Sequence, residues 1–242
     1  MYKRQGLVKG VGFNSWRRVD TVLPAIKVYN MREVDELILL DIEATNEKRD
    51  PDYDEIRDFS RECFVPFCVG GGICNIEQIR QLLRAGADKV AINTAAYNDI
   101  ALITEGADLF GSQCIVASID CRNIDGEYHC FSNDGTVDTG YMVEEWAKKV
   151  VDAGAGEILL TSVERDGTMQ GYDIELIRRV TSCVSVPVIA SGGAGNYEHM
   201  REAVMDGGAS AVAAASIYHF TEQTPREAKE YLQEHGVAVR LM

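Results

Sequence analysis

Phe67-Cys68-Val69-Gly70-Gly71-Gly72 returns later in the chain as Val188-Ile189-Ala190-Ser191-Gly192-Gly193, each an apolar run closed by glycines. A second run follows each at a matching distance: Val90-Ala91-Ile92-Asn93 ends 21 residues after Gly72, and Val212-Ala213-Ala214-Ala215 ends 22 after Gly193. Upstream, Leu39-Leu40-Asp41-Ile42 matches Leu159-Leu160-Thr161-Ser162. Self-similarity on this scale means that one supersecondary unit is used repeatedly. The chain therefore reads as two similar halves.

The unit is a short apolar strand followed by an amphipathic helix. Strands are expected near 37–42, 66–70, 89–93, 114–120, 157–162, 187–191 and 211–215. Helix starts are marked by Asp50-Pro51, by Asn75 with Gln78 three residues later, by Asp173, by Asn196 and by Thr224-Pro225; Gly86, Gly154 and Gly236 mark stops. Near-continuous apolar strands alternating with helices imply a parallel sheet buried on both faces. At 242 residues a single (β/α)8 TIM barrel with an internal two-fold repeat accounts for the pattern, and an open doubly wound sheet is the alternative. A hairpin, Glu127–Phe131 with Thr136–Thr139 about Asn133-Asp134-Gly135, interrupts it as a loop insertion.

Eight strands close such a barrel, and the repeat locates the eighth. Asp120 precedes Thr161 by 41 residues, and Thr161 is the partner of Asp41, so the counterpart of Asp120 falls just off the start of the chain. Met1 to Gln5, short and charged, is expected to be foreign or start-site sequence, with residues 6–242 forming one barrel domain that lacks its first strand.

A net charge of −14 spread along the helices argues against nucleic acid or an anionic membrane as the main partner. Seven cysteines without a Cys-x-x-Cys pair give neither a disulfide framework nor a zinc site and suit a reduced cytoplasm. There is no apolar stretch long enough to span a membrane. No metal or cofactor is expected.

In a barrel, the carboxyl ends of the strands carry the chemistry. Gly70, Gly71 and Gly72 before Asn75, and Gly192 and Gly193 before Asn196, let backbone N–H groups approach an anion. Either loop alone could be a turn needing positive φ. Two of them, half a barrel apart, suit an elongated substrate with a phosphate at each end. Asn93 and Thr94 add donors beside the first loop; Asp166, Gly167, Thr168 and Ser216 do so beside the second. Asp120 and Asp41 each end an apolar strand, where a carboxylate serves as a helix cap or as a general acid or base. Asp120, between the two loops, suits the second role. Lys9 could neutralise a phosphate or lie in solvent, and His219 reads as a packing residue. At the opposite strand ends, Glu36, Lys89 and Glu157 are either solubilising rim charges or a charged ring gating a passage through the barrel.

Together these motifs, above all Glu164-Arg165-Asp166-Gly167-Thr168 with Gly171-Tyr172-Asp173, and Ile189 to Gly195 (IASGGAG), resemble the cyclase subunit of imidazole glycerol phosphate synthase over residues 6–242. The resemblance implies a (β/α)8 barrel in a heterodimer with a glutaminase. It would take the glutaminase's ammonia and convert a ribulosyl-formimino aminoimidazole carboxamide ribonucleotide, phosphorylated at both ends, to imidazole glycerol phosphate and aminoimidazole carboxamide ribonucleotide in histidine biosynthesis. It implies acid–base chemistry by aspartates on the first and fifth strands, of which Asp120 stands at the second position; the first would fall on the missing strand, so the chain as given is expected to be impaired as an enzyme. Gly72, Asn93 and Thr94 match one phosphate site, and Asp166, Gly167, Gly193 and Ser216 the other. Lys9, Asp41, Thr161 and Ser191 match further active-site positions. Glu36, Lys89 and Glu157 match three of the four members of an ammonia gate.

Residues 17–68, with Asn30 to Leu37 and Arg61-Glu62-Cys63-Phe64, resemble instead a paralogous branch serving the amidination of a nucleotide sugar for surface polysaccharide. From Thr161 onward the chain reads as the histidine enzyme. A non-catalytic phosphosugar-binding or partner-activating subunit is a further alternative.

Overall fold

Strand and helix alternate from residue 22 onward because apolar positions switch between continuous and 3.6-residue spacing. A computed structural model describes residues 2–3 and 6–241; Met1, Arg4 and Gln5, part of the stretch read as foreign sequence, lie outside them. In chain order the elements are β1 (Tyr2–Lys3), β2 (Gly6–Val11), β3 (Asn14–Asp20), α1 (Val22–Met31), β4 (Leu37–Leu40), α2 (Tyr53–Ser60), β5 (Phe67–Gly70), α3 (Ile76–Ala85) and β6 (Lys89–Ile92). There follow α4 (Thr94–Asn98), α5 (Ala101–Phe110), β7 (Ile115–Ile124), β8 (Glu127–Ser132), β9 (Val137–Met142), α6 (Val143–Asp152) and β10 (Glu157–Ser162). The chain continues with α7 (Ile174–Thr181), β11 (Val188–Ser191), α8 (Tyr197–Met205), β12 (Ala211–Ala213), α9 (Ser216–Phe220) and α10 (Pro225–Glu234).

The parallel strands pair in the order β12-β11-β10-β7-β6-β5-β4. Neighbours in sequence are neighbours in space, so there is no switch point of the kind a doubly wound sheet has. Successive side chains of a strand face opposite ways, and β7 shows where they go. Ile115, Ala117 and Ile119 enter the large core shared with the helices, while Val116 meets Cys68, Ala91, Leu159 and Ile189 in a small inner core. Burial on both faces is why these strands read as unbroken apolar runs. Ile38 of β4, Leu159 of β10 and Ala213 of β12 line one cavity although three strands separate β4 from β10, so the sheet curls as a barrel wall does. The fold is α/β of the (β/α)8 type.

Helix ends follow local chemistry, with one correction. Asp52, rather than Asp50-Pro51, caps α2 by accepting from the N–H of Glu55 at 3.1 Å; Asp50 instead accepts from the Gln78 side chain at 2.6 Å. Asn75, Asp173 and Asn196 cap α3, α7 and α8 as expected, and Thr224 with Glu227 forms a full capping box on α10. The expected hairpin is β8–β9, and β7 runs past the parallel sheet to pair with it.

One feature of the N-terminal region was not anticipated. β1, β2 and β3 form a separate antiparallel sheet, which brings Lys9 to the mouth of the barrel. Seven parallel strands are present among the described residues, and the eighth position expected from the repeat, between β12 and β4, is a slot opening into a cavity of about 730 Å³. Across the amino-terminal end of that slot, Lys229 of α10 bonds Asp35 at 2.7 Å and Arg226 approaches Glu33 at 3.5 Å.

Candidate active site

The two glycine loops share a backbone conformation as well as a sequence. Gly71 and Gly72 have φ of 104° and 72°, and Gly192 and Gly193 have 90° and 109°. These left-handed values strain any residue with a Cβ. Space enforces the same choice, because a Cβ on Gly71 would meet the carbonyl of Asp41 and one on Gly193 that of Gly171. The internal repeat thus places equivalent turns at equivalent strand ends.

Between the loops, register brings the polar strand ends level. Asp120 stands opposite Thr161, and Thr161 opposite Ser191. Asn93, one residue beyond β6, donates its side-chain N–H to Asp120 Oδ2 at 2.8 Å. The hydroxyl of Thr94 accepts from the N–H of Asn133 at 3.0 Å, tying the β8–β9 hairpin to the start of α4. Near the second loop, the carbonyl of Asp166 accepts from Gly12 at 3.0 Å, and Lys9 lies 4.4 Å above the Phe220 ring. Lys9, Asp166, Gly167, Ser191, Gly192, Gly193 and Ser216 all line the large cavity. Asp41, Gly71, Gly72, Asn93, Thr94, Asp120 and Thr161 are at the same end of the sheet but are not among its lining residues. The predicted site is therefore brought together as two neighbouring clusters rather than as one cavity.

Burial pushes the Asp120 carboxyl up to about 7, the nearby negative charges of Asp134 and Asp166 add to this, and Arg122 opposes it. Burial likewise lifts Asp166 to about 6 against the pull of Lys9. Asn93 Oδ1 and Asp166 Oδ2 are buried without a hydrogen-bond partner, so both keep unspent polar capacity. A carboxyl balanced near neutrality beside such groups can both donate and accept a proton. Asp41 is arranged differently: Arg49 grips it with two contacts, Nη1–Oδ2 at 2.7 Å and Nη2–Oδ1 at 2.9 Å. Arg49 and Asp134 are site residues that sequence reading missed. Arg49 belongs to no motif and Asp134 reads only as a turn residue, so only the fold brings them to their carboxylates.

At the opposite strand ends the three charged residues meet. The Lys89 ammonium lies 2.8 Å from Glu36 and 2.7 Å from Glu157. Burial raises the Glu36 carboxyl while Lys89 opposes that rise, and Glu36 Oε1 is buried without a partner. Among the described residues, no three His, Cys, Asp or Glu side chains cluster as metal ligands.

Comparison with known proteins meets this geometry at full length. The family described as "Histidine biosynthesis protein" matches residues 3–224. The chain belongs to that family. Members of the histidine biosynthesis family are (β/α)8 barrels, in agreement with the curled parallel sheet. The imidazole glycerol phosphate synthase subunit HisF of Chlorobaculum parvum is 48% identical over 235 residues, covering 97% of this chain and 94% of its own. Its counterpart in Chloroherpeton thalassium is 47% identical, with 99% and 95% covered. That of Chlorobaculum tepidum is 46% identical, with 97% and 94% covered.

Proposed function

We propose that the chain acts as the cyclase subunit of imidazole glycerol phosphate synthase, a lyase of histidine biosynthesis. Relatives named as this subunit match almost the whole chain, and the observation that gives the assignment its chemistry is the Asp120 carboxyl poised at about 7. In this reading Asp120 moves protons during ring closure, held in place by Asn93. The Gly71-Gly72 and Gly192-Gly193 turns, with Thr94, Gly167 and Ser216, grip the two phosphates. Lys9, Asp41, Thr161, Asp166 and Ser191 complete the mouth.

Ammonia enters from the other end, past Glu36, Lys89 and Glu157, from a glutaminase docked on that face. The resulting heterodimer works in the cytoplasm; no helix among the described residues is long and apolar enough to cross a membrane. The nucleotide-sugar reading suggested by residues 17–68 is not favoured, because the full-length relatives carry the histidine subunit's name. Incubation with the doubly phosphorylated ribonucleotide and an ammonium salt tests the proposal. Imidazole glycerol phosphate should form, in step with aminoimidazole carboxamide ribonucleotide. Failure to bind that substrate, with conversion of a nucleotide sugar instead, would overturn it.

A further inference from the structure

Cys121 of β7 and Cys130 of β8 are direct partners across an antiparallel ladder, and both thiols are free. Both are fully buried in the outer core beside the helices. Burial pushes the Cys121 thiol well above the usual thiol range, and the Cys130 thiol beside it adds to the rise. Tyr97 of α4, stacked on Trp146 of α6 at 4.1 Å, is near both: burial lifts its hydroxyl, and Cys130 and Cys121 lift it further. Opposed residues of such a ladder stand about 4.5–5.5 Å apart at Cα, within the roughly 4.4–6.8 Å that a disulfide spans. At Cβ the fit is tighter. Opposed Cβ atoms lie about 4.5–5.5 Å apart, against roughly 3.5–4.5 Å in a disulfide, so closing the bond draws the rung together by about 1 Å.

The rung is next to the chemistry. Asp120 precedes Cys121 and stands opposite Phe131, which follows Cys130. The carbonyl of Cys121 accepts from the N–H of Val163 at 3.0 Å, at the start of the loop that carries Asp166. The outer side of Cys130 is where the hairpin becomes irregular. The β8–β9 register shifts between His129 and Phe131, and the Cys130 carbonyl accepts from the Thr139 hydroxyl at 2.8 Å. Gly140 beside it has φ of 76° and open space where a Cβ would be. An interrupted ladder opens at lower cost than a regular one, which gives a small reagent its way to the thiols.

We propose that Cys121 and Cys130 form a dithiol site that small disulfides oxidise reversibly, and that closing the cross-strand bond displaces Asp120. One thiol loses its proton and attacks a sulfur of the reagent, expelling one thiolate. The other then attacks the protein-side sulfur of the mixed disulfide and expels the second thiolate. The protein gives up two protons and two electrons, and the reagent becomes two thiols. A bond closed under strain is readily reduced, so thiol reductants reopen it. The effect on turnover rests on the role given to Asp120; the bond itself does not.

The probe is hydroxyethyl disulfide, applied to the folded full chain. After alkylation of the remaining thiols, peptide mass analysis should find Cys121 joined to Cys130. The Asp120 carboxyl should then titrate about half a unit to one unit higher, because the moved rung takes Oδ2 off its Asn93 donor, at 2.8 Å in the reduced protein. Ammonia-dependent turnover should fall roughly 10- to 100-fold, the usual cost of a misplacement of about 1 Å. Dithiothreitol should reverse both changes. Cys121→Ala and Cys130→Ala, made separately, should show neither on treatment. Free thiols at both positions while the exposed Cys74 is fully modified would overturn the proposal. So would a Cys121–Cys130 bond that leaves the titration unmoved, or losses that persist in either variant. A reduced protein without turnover would count against the cyclase reading alone, because mass and titration read the dithiol without it.

Discussion

Asp41 and Asp120 both end apolar parallel strands, and their surroundings are opposite. Asp41 is clasped by Arg49 through two short contacts and spends its charge there. Asp120 is buried with an amide for a neighbour and with Asp134 and Asp166 adding negative field, so its proton is held to about 7. The same residue type at the same kind of position is thus paired with a guanidinium in one half of the barrel and is a buried, titrating group in the other. What decides is whether the following loop delivers a guanidinium.

The contrast can be broken at several points. Asp120→Asn should lower ammonia-dependent turnover by about 10²- to 10⁴-fold, the usual worth of a general acid or base, whereas Asp41→Asn should cost much less. Comparable losses in steady-state rates would remove the distinction. Arg49→Met strands a carboxylate that is only 10% exposed, and urea unfolding should show a loss of about 2–3 kcal/mol. The Asp41→Asn, Arg49→Met pair should recover most of that loss.

Asp120 itself should weaken the fold at neutral pH. Its folded value lies above the unfolded value of about 3.9, so the unfolded chain releases the proton first and stability falls as pH rises from about 4 to about 7. Asp120→Asn should therefore stabilise by roughly 1–3 kcal/mol at pH 7 and by almost nothing at pH 4. A gain independent of pH would contradict the shift. The smallest effect belongs to Asn93→Ala. Losing a donor to the ionised form should raise the Asp120 midpoint by about half a unit to one unit in a carbon-detected NMR titration.

Much of this arrangement was legible from residue types alone. Paired glycines at strand ends, Asn75 and Asn196 as caps, and a lone Asp closing Ile115–Ile119 each carry a local physical reason that holds wherever the fold puts them. What escaped was tertiary. Arg49 finds Asp41 only because the intervening loop folds back, and Asp134 reaches Asp120 only through the β8–β9 hairpin. β2 and β3 were missed because Lys9, Arg17 and Arg18 break any apolar pattern. Asp52 displaced Asp50 as a cap because Asp50 had a better use, accepting from Gln78. Signals that compete within a few residues are settled by partners that a linear reading does not see.

The contact between Lys229 and Asp35 has a mechanical meaning. Lys229 is only 7% exposed and reaches from the last helix to the turn before β4, so the helix acts as a clasp on the rim that carries Glu36. Releasing that clasp would be felt along β4 as well as locally, because the far end of that strand carries Asp41, whose N–H bonds the carbonyl of Gly70 beside the first glycine turn.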